Sequence, residues 1–515
     1  MDRKEFLNAI GRGVIGGSAL LGGSALLSGC SGLLNQKNPN SLTPNNFWKS
    51  GSDANANLTS VYQTFLGQAG WSAANNWYDR LIPALYRGDD IGITHDVPDW
   101  WSLANFILTP TNGTPDGLWS LNYQGIFRAN QVIQNVPNIK KNINADLKKR
   151  YVGEAKFLRA YFYYSLVTNF LNVPIITTIP KSSKDYNVAQ SKPKQTWGQI
   201  EKDLNDAISV LPWSYNSSNQ GRVTKGAALG YLGKSQMFQK KWKDATNTFE
   251  QIIKSKNYSL MPNFWDVFLK KNDFNREDLL EVNYHSGSFK GQTLKSPRNY
   301  EEAPSQAGGW FECYPNDWLF KEMTKEKTTK GNLDPRVRAT IIWPGGGLKY
   351  YGQTYEELFG SGAKIKTWRK YNDSEQDHHL SDYSGKNLRL LRYSDILLMH
   401  AESLTRQDNT NEAIKYINMV RNRANLSDMP GSSTKKQVLK EIEHQRIVEL
   451  ADEGNRWYDL LRWDGSIDGS MTIKQNLSQH GAIGAANFDP NKHKYLPIPY
   501  SEIQTNTKIK QNPGY

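Results

Sequence analysis

The sequence contains few cysteines and few long apolar runs. Only Cys30 and Cys313 occur in 515 residues, which excludes a scaffold held by many disulfides and a cysteine-rich zinc module. The mean hydropathy of −0.66 argues against a protein that crosses a membrane many times. Aromatic residues are plentiful, with 16 Trp, 26 Tyr and 18 Phe. A disordered chain does not carry that much apolar surface, so the sequence predicts a folded protein.

Basic residues outnumber acidic ones, and the formal net charge is +13. Such a balance is typical of proteins that bind nucleic acid or another anionic partner. Nucleic-acid-binding proteins concentrate Lys and Arg in stripes, whereas the clusters here are short, such as residues 148–150, and acidic residues separate them. The pattern favours a solvated surface and no nucleic-acid partner.

The N-terminus has the features of a secretory leader that ends at a cysteine. Arg3 and Lys4 precede a short apolar stretch, residues 14–27, and the sequence Leu-Ser-Gly-Cys follows at residues 27–30. This resembles a bacterial lipobox, in which cleavage before Cys30 leaves a thiol that carries diacylglycerol. Acyl chains on Cys30 anchor a protein to a lipid membrane. An ordinary secretory leader with a chance cysteine is the alternative. With Cys30 acylated, Cys313 is expected to be a buried free thiol.

Apolar residues recur at helical spacing along much of the chain. Residues 224–239 and 242–254 form a helix pair in which Leu232-Gly233, Ala245 and Phe249 have the spacing of a tetratricopeptide repeat. Further helices are predicted over residues 118–136, 152–170, 392–406, 411–423 and 436–451, of which 392–406 and 411–423 resemble a second repeat pair.

Two stretches, residues 70–117 and 284–388, lack a helical period and are rich in Gly, Pro, Asn, Asp, Trp and Tyr. Irregular segments of this length inside a compact protein are usually functional. The predicted fold class is therefore mainly α, a tetratricopeptide-like helical-repeat scaffold whose long irregular loop excursions form the ligand face. The predicted organisation is a leader over residues 1–29, a tether over 30–50 from the lipidated cysteine, an N-terminal half over 51–283 and a C-terminal half over 284–515.

No catalytic constellation stands out. The eight histidines form no His-Glu-x-x-His pair, there is no Gly-x-Ser-x-Gly elbow, and residues 228–235, which end like a phosphate loop, lie inside a predicted helix. His444, Arg446 and Glu449 lie near further acidic and basic residues, including Asp459 and Arg456, and this pattern favours a structural ion network. We therefore expect no catalytic residue, no metal site and no cofactor. A secreted glycosidase is the least favoured alternative.

Several short motifs occur together along nearly the whole chain. They are NSLT at residues 40–43, GIFRAN at 125–130, EAKFLRAYF at 154–162, GRVTKGAA at 221–228, RYSD at 392–395, EGNRWYDL at 453–460 and QNPGY at 511–515. In this order they resemble the SusD/RagB family of outer-membrane lipoproteins. Physically they are fold-making residues: Gly454 suits a left-handed helix cap, and Arg456 and Arg462 can pair with Glu449 and Asp459.

The resemblance implies a binding protein without enzymatic activity. Members of the family help a SusC-like TonB-dependent transporter to capture nutrient, often an oligosaccharide, at the outer membrane on the side that faces the cell exterior. The helical repeats are then expected to pack on the transporter, with the ligand on the loop-rich face. A peptide or another non-glycan nutrient remains an alternative ligand, because the positive net charge suits acidic cargo.

Aromatic side chains in the two excursions are the candidate ligand contacts. Trp and Tyr rings offer flat apolar faces for sugar rings, and carboxylates bond the hydroxyls. Trp100-Trp101 is the strongest candidate, since adjacent rings seldom both bury, and Trp310 follows. The alternative is that these rings wedge the loops onto the helices. The candidate contacts are Trp77, Tyr86, Asp89, Asp90, Trp100, Trp101, Trp310, Tyr314 and Trp318.

Overall fold

A computed structural model describes residues 48–66, 82–285, 288–289, 292–293, 295–375, 380, 384–465 and 471–515. Within them the protein is mainly helical, as predicted. The helices are α1 (Gly51–Leu66), α2 (Ile82–Leu85), α3 (Pro98–Ala104), α4 (Gly113–Asn135), α5 (Ala145–Phe170), α6 (Pro193–Ile208), α7 (Lys225–Phe238), α8 (Trp242–Ser255), α9 (Arg298–Glu302), α10 (Asp317–Met323), α11 (Pro335–Thr340), α12 (Tyr355–Phe359), α13 (Tyr393–Arg406), α14 (Thr410–Arg423), α15 (Lys435–Leu450), α16 (Arg456–Trp463), α17 (Ile473–Gln479) and α18 (Tyr500–Thr505). None of the helices in this part of the chain has both the length and the apolar character needed to cross a bilayer.

The strands are short and pair two by two. They are β1 (Ile91–Ile93), β2 (Asp278–Val282), β3 (Ser288–Phe289), β4 (Gln292–Thr293), β5 (Cys313–Pro315), β6 (Ile341–Ile342), β7 (Thr367–Trp368) and β8 (Leu388–Arg392). In the described residues, β1 pairs with β5, β2 with β8, β3 with β4 and β6 with β7, all antiparallel. The predicted excursions thus contain short strands and helices, and β1–β5 joins one excursion to the other.

Three of the long helices, α4, α5 and α7, begin at side chains that cap their first turn. Asn112, Asn144 and Thr224 each accept a hydrogen bond from a backbone N–H two or three residues further on, which satisfies a donor that the helix itself cannot. Helices that are neighbours along the chain pack in pairs. The pairs include α4 with α5, α7 with α8, and α13 with α14. Both predicted repeat pairs are therefore present, with bounds within a residue or two of those predicted.

The pair α7 and α8 approaches closely at Gly233, as the repeat spacing predicts. A Cβ at this position would lie 2.2 Å from Cε1 of the fully buried Phe249 ring. The close packing of protein interiors leaves that ring no space to move away. Glycine is therefore required at this helix crossing.

Replacing Gly233 with alanine is expected to lower the free energy of unfolding by about 1–3 kcal/mol, the usual cost of overpacking a core. Gly198 in α6 is the matched control, because a Cβ there would meet no atom within 4 Å. Gly198→Ala is expected to stabilise the helix by about 0.5–1 kcal/mol. Urea denaturation of both variants measures these changes, and equal effects of the two substitutions would contradict the close crossing.

A network of buried ion pairs joins the C-terminal helices, as predicted from Arg446 and Glu449. Arg446 bonds Asp395 and Asp459, each at 2.7 Å. Arg462 pairs with Asp459 as predicted, and also with Glu402. The predicted partners of Arg456 were wrong: it pairs with Asp89 and Glu443.

Gly454 has the predicted left-handed backbone, with φ of +70°. The helix before it, α15, ends earlier than predicted, at Leu450. The residues between them form a turn. Gly454 therefore closes this turn, and the residue after it leads into α16.

Candidate ligand-binding site

The pairing of β1 with β5 brings the two aromatic-rich excursions together. Gly92 lies opposite Tyr314, and the Thr94 N–H donates to the Glu312 carbonyl at 2.9 Å. A Cβ at residue 92 would lie 2.3 Å from the Tyr314 ring, so the absence of a side chain lets this ring lie across β1. Successive residues of a strand point to opposite faces. Tyr314 and Glu312 therefore share one face of the pair, and Cys313 points to the other, where it is buried as a free thiol.

Half-buried rings lie in the two segments that this pairing joins. Trp101 packs edge-on against His95 with ring centroids 4.6 Å apart. Phe311 stacks on Tyr314 with centroids 5.6 Å apart, and Trp310 packs against Tyr300. We refer to Trp101, Trp310, Phe311 and Tyr314 as the aromatic row; each is partly accessible to solvent.

Glu312 follows Phe311 in the chain and faces β1. Its side chain contacts Thr94, with 3.5 Å between Oε2 and Oγ1. Burial and the nearby Asp96 carboxylate raise the pKa of Glu312 to about 7. Only 7% of the residue is exposed, so Glu312 packs within the strand pair and is not a surface contact.

Comparison with known proteins assigns the family. A model of the SusD family matches residues 276–515, and a model described as "Starch-binding associating with outer membrane" matches residues 34–236.

The chain is a member of the SusD/RagB family.

A SusD-like protein of Formosa agariphila is 25% identical over 94% of this chain and 96% of its own length. A SusD superfamily protein from Bacteroides vulgatus is 29% identical, with a TM-score of 0.82 over 91% of this chain and 100% of that chain. A solved structure described as a laminarin binding SusD-like protein is 28% identical, with a TM-score of 0.75 over 91% of this chain and 100% of that one.

Four of the candidate contacts of this SusD/RagB protein are buried. Tyr86 and Trp100 pack edge-on with ring centroids 5.5 Å apart and are 2% and 4% exposed. Asp89 is fully buried, and Asp90 is 4% exposed. The expectation that these residues touch a ligand at the surface does not fit their burial; of the Trp100-Trp101 pair, only Trp101 is accessible.

Asp89 holds the excursion onto the C-terminal helices. Arg456 donates two hydrogen bonds to its carboxylate, at 2.6 and 2.7 Å, and His480 Nδ1 lies 2.7 Å from it. Burial alone would raise the pKa of Asp89, but Arg456 and His480 lower it well below its usual range. The carboxylate is thus ionised and fully engaged within the fold.

Trp318 belongs to the same cluster. Its ring stacks on His480 with centroids 3.6 Å apart, and the Arg456 guanidinium lies 5.6 Å from the ring centroid. One ring face is therefore covered by the protein itself. Trp77 lies outside the described residues, and so does Cys30.

The sequence did not point to Phe311, Glu312 or His95. Phe311 has a φ of +56°, and its ring stacks on Tyr314. The residue type alone does not predict this left-handed backbone. The sequence signal available for Phe311 and Glu312 was their position beside Trp310 and Tyr314. In the described part of the chain, no group of three or more His, Cys, Asp and Glu residues is arranged to hold a metal ion.

Proposed function

We propose that this protein binds nutrient oligosaccharides along the aromatic row without breaking any bond in them. The observation that carries the proposal is the pairing of β1 with β5, which brings together two distant segments that carry partly accessible rings. Flat rings pack on the apolar C–H faces of sugars, and a few polar groups fix the orientation of the hydroxyls.

The family relatives support the ligand class. A family model carries a starch-binding description, and a relative at 28% identity is described as laminarin binding. Neutral glucans are therefore the first ligands to test. The candidate contacts in the aromatic row are Trp101, Trp310 and Tyr314, now with Phe311.

We also propose that the protein is anchored by acyl chains on Cys30 in the outer membrane, faces the cell exterior and delivers its ligand to a SusC-like TonB-dependent transporter. The leader ending in Leu-Ser-Gly-Cys supports the anchor, and two acyl chains hold a protein stably on a bilayer. The association of the family with the outer membrane supports the location.

Replacing Trp101 with alanine is expected to weaken oligosaccharide binding by about 10- to 30-fold, the loss typical of a central aromatic contact. Isothermal titration with laminarihexaose and maltohexaose measures it. Tyr500→Ala is the matched control, because Tyr500 is 50% exposed and lies on α18, outside the aromatic row. Unchanged affinity in the Trp101 variant, with a folded protein, would contradict the assignment of the row.

A further inference from the structure

A cleft lies between residues 213–224 and β2, apart from the aromatic row. Its volume is about 220 Å³, below the roughly 300–1,000 Å³ of pockets that take drug-sized ligands. The residues that line it include Trp213, Gln220, Tyr258, Phe274, Arg276 and Asp278. The cleft shares no residue with the aromatic row and is bordered by β2 of the β2–β8 pair. We call it the β2 cleft.

Phe274 is held at the mouth of the β2 cleft in an unfavourable conformation. Its φ is +62°, and 39% of the residue is exposed. The backbone N–H donates to Glu281 Oε1 at 2.9 Å, and a Cβ on Gly221 would lie 3.2 Å from the ring. A left-handed backbone costs a non-glycine residue about 1–3 kcal/mol, and such strain clusters at ligand clamps. An exposed ring fixed in this way contributes little to the core.

Two polar side chains of the cleft are open to solvent. Arg276 and Gln220 are exposed, and neither side chain makes a hydrogen bond or ion pair within the described residues. The Asp278 side chain is 1% exposed, and its Oδ2 accepts a hydrogen bond from Asn275 at 2.6 Å. The cleft therefore offers an amide and a guanidinium to which the hydroxyl groups of a ligand can bond.

Asp278 is a buried acid in the wall of the cleft. Burial and the adjacent Glu281 carboxylate, to which it is also hydrogen-bonded, raise its pKa well above its usual range, against the lowering effect of Arg389. Asp278 is thus engaged within the fold, and the polar contacts open to a ligand are those of the exposed Arg276 and Gln220.

The rings that line the cleft are fixed in place. Tyr258 is held by a hydrogen bond of 2.9 Å between its hydroxyl and Thr224 Oγ1. Trp213 has the Lys225 ammonium 5.8 Å from its ring centroid, which partly covers one of its faces. Tyr258 and Phe274 are therefore the rings best placed to pack against a ligand. The rings, the Gln220 amide and the Arg276 guanidinium together have the chemistry that recognises a sugar.

We propose that the β2 cleft is a second binding site that takes one sugar ring of an oligosaccharide, with Phe274 as its principal contact. This rests on the proposed function for the class of ligand but not on the aromatic row. A protein with two such sites holds a long glycan more tightly than either site alone when both are engaged.

The test measures how many laminarihexaose or maltohexaose molecules bind to the full chain, by native mass spectrometry and saturation-transfer NMR at millimolar sugar. Wild-type protein is expected to bind two. Trp101→Ala is expected to bind one of them about 10- to 30-fold more weakly and the other with unchanged affinity. Adding Phe274→Ala or Arg276→Ala to the Trp101 variant is expected to abolish or weaken the binding that Trp101→Ala leaves unchanged. Adding Tyr500→Ala instead is expected to leave it unchanged.

Each outcome separates the two proposals. Complete loss of binding in Trp101→Ala alone overturns the β2 cleft and leaves the aromatic row standing. A second molecule whose affinity is unchanged by Phe274→Ala is bound elsewhere, and this also overturns the β2 cleft. Wild-type protein that binds neither hexasaccharide overturns the glucan assignment and the cleft with it. Circular dichroism of each variant establishes that it has folded.

Discussion

Replacing Arg392 with methionine is expected to destabilise the protein by about 5 kcal/mol or more, since breaking even one buried ion pair costs about 3–5 kcal/mol. Arg392 is 1% exposed and pairs with Glu277, Glu449 and Glu453 at 2.5–2.9 Å. Burial alone would raise the pKa of Glu449, but the guanidinium groups of Arg423, Arg392 and other cations lower it well below its usual range. Removing Arg392 leaves these carboxylates under-paired in the interior.

Urea denaturation monitored by tryptophan fluorescence measures the effect. Arg392→Lys keeps the charge but loses the planar fork that bonds several oxygens at once, so an intermediate loss is expected even if the methionine variant does not fold. Lys435→Ala is the matched control, because Lys435 pairs with Asp408 at the surface and such pairs contribute about 0–1 kcal/mol. Similar effects of the buried and exposed substitutions would contradict a central role for Arg392.

The helical scaffold was predictable because its signals are local. Caps such as Thr224, and the recurrence of apolar residues at three and four positions, act within a few turns of one helix. The repeat spacing even identified Gly233 and Phe249, which contact each other across a helix pair. Sequence reasoning works where the partners of a residue lie close to it along the chain.

The candidate site was only partly predictable because its residues meet through distant partners. Asp89 is bonded by Arg456, which lies 367 positions further along the chain. Two adjacent carboxylates in an aromatic-rich loop suggested a ligand site, and nothing nearby in sequence revealed this partner. Trp100 and Trp101 carry the same side chain, and only the direction of α3 decides which ring faces the core. The pairing of β1 with β5, which assembles the aromatic row, is equally long-range.

Asp90 is a buried carboxyl group that lacks such a partner, and its burial lowers the stability of the folded protein at neutral pH. Its carboxyl group lies beside the ionised Asp89, and Oδ1 has no hydrogen-bond partner among the described residues. Burial and the Asp89 charge raise the pKa of Asp90 from 3.8 to about 7. The folded state therefore holds a proton that the unfolded chain releases near pH 4. A raised acid pKa leaves stability unaffected below about pH 4, lowers it progressively as pH rises, and exerts its full cost above about pH 7.

Asp90→Asn removes that cost, because asparagine has a similar shape and stays neutral at every pH. We expect the variant to match wild type at about pH 4 and to exceed its free energy of unfolding by roughly 3–4 kcal/mol at about pH 8. Asp89→Asn provides the opposite control: it leaves Arg456 without its carboxylate and is expected to destabilise the fold at pH 8. Urea denaturation at both pH values measures these differences. Only a group that titrates between about pH 4 and about pH 8 can make the difference in free energy of unfolding depend on pH. If the difference between Asp90→Asn and wild type is the same at both pH values, this carboxyl group does not hold its proton in the folded protein.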